Sequence, residues 1–132
     1  MGDFTPLSSN VPANYNETVA NLTVTGLLYE STKDNIVALA GGGQPGATPL
    51  PALLNRIATV ATAADSCLLP PAVPGLCISV FNDAAANSAN VFPGVGGQTN
   101  ALAVNAAFAL AAGKNVMFCC VVINKWHAIL SA

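Results

Sequence analysis

The chain has 132 residues, room for one domain with its own core. Charged residues make up 8% of it, against roughly 25% in ordinary soluble domains, while 53% are hydrophobic and the formal net charge is −2. The four basic residues, Lys33, Arg56, Lys114 and Lys125, are scattered, which excludes the basic patch that nucleic-acid phosphates or an anionic membrane surface would require.

Residues 1–16 (MGDFTPLSSNVPANYN) mix Pro, Ser and Asn with isolated apolar side chains at no regular period. An irregular arm is expected there, with Phe4, Leu7, Val11 and Tyr15 as candidate contacts to a neighbouring molecule; a solvated tail is the alternative. The start is acidic and no apolar run follows it, so no secretory leader is expected and the sequons at Asn16 and Asn21 are expected to stay unmodified. Residues 17–132 are expected to form a single β domain. Residues 18–25 (TVANLTVT) alternate as a strand does and are expected to continue past Gly26 to Glu30. Residues 31–35 read as a polar turn and 36–40 as a short strand. The glycine-rich stretch 41–46 lacks the Gly-Lys-Ser/Thr ending of a phosphate-binding loop and reads as a connector. Thr48 followed by Pro49 is a helix-start signal and predicts one short helix through Ile57, with a strand over 58–62.

From Ser66 onward the signals become regular. Apolar runs at 67–69, 76–81, 90–92 and 106–110 are separated by Pro-Pro, Asn-Asp, Pro-Gly and Gly-Lys-Asn. Residues 116–123 (VMFCCVVI) form the longest apolar run. It is too short for a membrane helix, which needs roughly 20 residues, and reads as a strand buried on both faces. Asn124 and Lys125 then turn the chain into 126–130, completing a hairpin. Turn spacing of about 8–12 residues, with no room for crossover helices, predicts an all-β fold: an antiparallel β-sandwich or jelly-roll-like barrel. Phe81, Phe92, Phe108, Phe118 and Trp126 are the candidate core between two sheets. No internal repeat stands out.

Little chemistry is visible. His127 is the only histidine, and no serine or cysteine beside it is placed to act as its nucleophile; with Trp126 turned inward it would face outward. Asp65 and Asp83 sit at turns, where carboxylates bond the backbone. The spacing of Cys67, Cys77, Cys119 and Cys120 fits no zinc pattern, and adjacent Cys119 and Cys120 point to opposite faces. Buried free thiols are expected, as in a protein made in a reducing cytoplasm, with a Cys67–Cys77 bridge across the PPAVPG turn as the alternative. No enzyme, cofactor or metal site is expected. A surface this poor in charge is expected to be covered by other subunits; a monomer coated with Asn, Ser, Thr and Ala is the alternative.

Three stretches carry a resemblance. NRIATVATAADSCLLPPAVPGLCISVFN, ANVFPGVGGQTN and AFALAAGKNVMFCCVVINKWHAILS resemble a recurring β module of tailed-bacteriophage virion proteins, covering roughly residues 47–132. The matching landmarks are Asp65-Ser66, Gly75-Leu76, Val91-Phe92-Pro93, Ala112-Gly113-Lys114 and Trp126-His127. They are turn and core residues, so they speak for a scaffold and not for a reaction. The resemblance implies a structural virion protein. The first expectation is a capsid decoration (cement) protein, a homotrimer on the capsid surface that contacts the major capsid protein. A tail-fibre, spike or baseplate component binding the host surface is the alternative.

Overall fold

The computed structural model describes residue 21 and residues 23–132. The expected arm, with Phe4, Leu7, Val11 and Tyr15, and most of the strand expected over 18–25 lie outside the described residues. Residues 23–31 contain no strand; Val24, Leu27, Leu28 and Tyr29 there are exposed, so the expected continuation to Glu30 is corrected.

Ten strands follow: β1 (Thr32–Val37), β2 (Thr48–Pro49), β3 (Leu54–Thr59), β4 (Ser66–Leu68), β5 (Cys77–Asn82), β6 (Ala89–Phe92), β7 (Gln98–Thr99), β8 (Phe108–Leu110), β9 (Asn115–Val122) and β10 (Lys125–Leu130). The fold is all-β, as the sequence predicts. The winding is different. Strands β1, β3 and β5 lie parallel in one sheet, and β2, β4 and β6 lie parallel in another. The chain alternates between sheets, laying one strand in each per coil, and stacks three such coils as a β-solenoid. This replaces the expected antiparallel sandwich or jelly-roll barrel. A parallel return needs a dozen or more residues, but not a helix. Here the 16 residues of 38–53 and the 17 of 60–76 supply it with two turns and a short strand of the other sheet.

The coils are an internal repeat that the sequence hides. Thr48, Cys67 and Val91 stack in register, as do Pro49, Leu68 and Phe92. These residues share position without sharing side-chain type.

The expected helix over residues 48–57 is absent. Pro49 lies in β2, and because the Leu50 N–H bonds the Leu68 carbonyl, the proline nitrogen points to the open edge, where no donor is needed. In β3 the inward residues Asn55 and Ile57 alternate with Leu54, Arg56 and Ala58, a period of two that overrides the capping signal.

After β6 the chain reverses. β8 runs antiparallel to β6, β9 antiparallel to β5, and β10 closes the hairpin on β9 at Ile123-Asn124. The larger sheet has the order β1-β3-β5-β9-β10-β7 and the smaller β2-β4-β6-β8. Between them lie Ile57, Leu69, Val80, Val91, Leu110, Phe118 and Trp126, all buried. Phe118 meets Phe108 and Trp126 edge to face, at centroid distances of 5.5 and 6.4 Å. Phe81 and Phe92, expected between the sheets, are half-buried on their outer faces instead.

Candidate functional site

A strand shows alternate side chains to opposite faces, so the core-facing set fixes the outward set. On β5, Ile78, Val80 and Asn82 are buried, leaving Cys77, Ser79 and Phe81 outward. On β9, Val116, Phe118 and Cys120 are buried, leaving Met117, Cys119 and Val121 outward. On β10, His127 and Ile129 face the same way. Strand register then assembles one surface. Leu54 neighbours Ser79, Ser79 neighbours Met117, and Met117 neighbours Ile129; in the next row Cys77, Cys119 and His127 stand side by side.

This outer face is mainly apolar. Ile129 is 59% and Val121 71% exposed. A groove of ≈ 250 Å³ runs between Phe81, Met117, Ile129 and Leu130, and a second of ≈ 260 Å³ lies on the other flank of Phe81 beside Leu54 and Arg56. Val122 and Ile123, at the hairpin tip, carry the exposed apolar surface beyond the end of the sheet. The reading of 116–123 as buried on both faces is corrected: among the described residues only the inward face is covered.

Among the described residues, the ion pairs bordering this face gather around β3. Arg56 bridges Asp34 and Asp83, with N–O distances of 2.8 and 2.7 Å. The hydrogen bond from Arg56 holds the Asp34 carboxyl below its ordinary pKa. All three side chains are well exposed, so the cluster adds little stability, and with two carboxylates to one guanidinium it leaves that flank slightly acidic.

Cys77 and Cys119 form a disulfide across β5 and β9 on this face. Their Cα atoms are 4.1 Å apart, the close spacing of a directly opposed antiparallel pair. The expectation of four free thiols, and its alternative bridge from Cys67 to Cys77, are both corrected. Cys67 lies inward between the sheets and cannot reach the outward Cys77. Burial pushes the Cys67 thiol up to about 12, which keeps it protonated and unreactive. Cys120 is buried, and its thiol donates to the Val122 carbonyl at 3.2 Å.

Among the described residues, those capable of acid–base chemistry do not converge. His127 is exposed beside the disulfide, and its register neighbour Cys119 is not a nucleophile. Asp65 is buried at the opposite corner, beside a concavity of ≈ 310 Å³ that includes Gly41, Thr62 and Asn90. One carboxylate oxygen accepts the Gly41 N–H at 3.2 Å and the other the Thr62 N–H at 2.9 Å, so the group closes two turns. Among the described residues, no three of His, Cys, Asp and Glu come together as metal ligands would.

No family model, no curated protein and no solved structure matches this chain. The site is therefore read from its own chemistry. Sequence reasoning found Phe81 but assigned it to the core, and it missed Leu54, Met117, Val121 and Ile129. The available signal was apolar residues on both parities of 76–81 and 116–123. That pattern requires cover on two sides, and the fold supplies it on one.

Proposed function

We propose that this protein is a structural component of a tailed-phage particle, decorating the capsid as a homo-oligomer that bridges capsid subunits and stiffens the head. The observation that carries the reading is the apolar, nearly uncharged outer face of the larger sheet, left uncovered by the described residues of its own chain. Such a face is stable in water when another protein lies on it. The turn and core motifs of residues 47–132 add the resemblance to virion modules. The Cys77–Cys119 bridge supports a working life outside a reducing cytoplasm, as on a released particle. Several modest contacts per oligomer would act together, so avidity resists the pressure of packaged DNA.

A second reading, a tail-fibre or spike segment, is favoured by one feature: stacked coils are a unit from which rods are built. The two readings differ in stoichiometry. A stained gel of purified particles should show the protein in amounts comparable to the major shell protein. A trace band favours the tail, and absence from particles removes both readings.

A further inference from the structure

We propose that the outer face of the larger sheet is the surface through which two copies of this chain pair, face against face. The inference deepens the reading above, resting on it only for self-association, and names the surface and the partner.

Edges are the usual way for sheets to join, and here the edge strands are blunted; β7 covers Lys125 and Trp126 of β10 and the Asn100 side chain takes the Ala128 N–H, which leaves the short Ile129–Leu130 end open. β1 carries Lys33 and Asp34, and its ladder is broken by a bulge at Asn35, which has a φ of 56°. β2 is two residues long and contains Pro49; β7 has two residues and β8 three. Charge, a bulge, proline and brevity are the devices that prevent strand addition. Little edge is left for association, and the faces are favoured.

Of the two outer faces, area selects one. Five long strands of the larger sheet, at about 4.8 Å spacing and about 3.3 Å rise per residue, present roughly 500 Å². Two such faces bury about 1,000 Å² in all, the lower bound for a specific interface. The smaller sheet, with four strands of two to four residues, presents roughly 200 Å², too little for a stable contact. The hairpin tip at Val122 and Ile123 extends the larger face further.

Composition agrees in part. Phe81, Met117 and Ile129 form a contiguous apolar patch across β5, β9 and β10. Arg56, with Asp34 and Asp83, borders it on the β3 side, and His127 borders it on β10. A twofold arrangement lets one flat face cover the other completely. Around a threefold axis, three flat faces would enclose a gap and bury only their margins.

The test is the solution mass of the full-length, oxidised protein by analytical ultracentrifugation. Met117→Lys and Ile129→Lys place charge within the apolar patch of the paired face, and Ala109→Lys places it on the exposed outer side of β8. The expected result is a concentration-dependent mass of twice the 13.2 kDa chain. Met117→Lys and Ile129→Lys should shift it to the single-chain mass, while Ala109→Lys should not. Circular dichroism and unfolding midpoints, compared with wild type, show that each variant is folded. Should either face variant misfold, Met117→Gln and Ile129→Thr serve in its place, with weakened pairing expected. A wild-type protein that stays single at all concentrations overturns the proposal, as does a threefold mass or pairing that survives the face variants. Capsid binding is scored separately on particles, so loss of this pairing surface and loss of the virion reading are told apart.

Discussion

Asn82 ties two layers together in a chain with few charges. Its side chain is buried on β5. The Nδ2 donates to the Leu110 carbonyl at 2.9 Å and the Asn87 carbonyl at 3.2 Å, and the Oδ1 accepts the Ala84 N–H at 3.2 Å. Three backbone groups that water cannot reach well are satisfied at once. Asn55 does the same at the opposite corner, receiving the Ala52 N–H and donating to the Ala52 carbonyl. Five other asparagines, at 35, 87, 100, 105 and 124, have positive φ, a conformation their short polar side chain tolerates. Asparagine is thus the corner residue of this fold. Replacing Asn82→Ala should lower stability by about 3 kcal/mol, because several backbone groups lose their partners. Urea unfolding followed by tryptophan fluorescence checks this, since Trp126 is in the core.

At the scale of the element, the disulfide joins β5 to β9 where the winding reverses. It closes a loop with a sequence separation of 42, for which chain entropy gives about 4 kcal/mol of stabilisation. Cys77→Ser, Cys119→Ser and reduction should each lower the unfolding free energy by roughly 3–4 kcal/mol. The double variant should fall no further than either single one, because the same bond is lost. Matched urea curves with and without reductant measure this. The C-terminal elements were legible in the sequence because dipeptide punctuation brackets them: Pro93-Gly94 ends β6, and Ile123-Asn124 turns β9 into β10. The N-terminal elements were not. Thr48-Pro49 carries a helix-start signal that tertiary pairing with β4 overrides, and the polar residues of β1 look like a turn until β3 pairs with them. Parallel winding was illegible because Thr48, Cys67 and Val91 occupy one register with unrelated side chains. The candidate site was half legible: alternation separates the two faces of β9, but only the fold shows which one is left uncovered.

For the whole molecule, blunted edges and one broad apolar face set how copies can meet. The homotrimer expected from the resemblance would need a contact other than the face-to-face pairing proposed above. Residues 1–16 have a separate expected role as the grip on a neighbour. Deleting them should leave circular dichroism and unfolding midpoint unchanged and release the protein from purified capsids. Full retention on capsids by the truncated protein would end that role for Phe4, Leu7, Val11 and Tyr15. The reversal after β6 has a consequence for growth. β8 and β9 run against the coil direction, β10 returns along it, and together they seal one end of the stack, so further turns can be accommodated only on the β1 side of them. Tandem duplication of a stretch such as residues 54–76 would lengthen the body by one sheet spacing, about 4.8 Å, while the sealed end stays the same. A chain of this architecture can therefore change height by whole increments and keep the same lid.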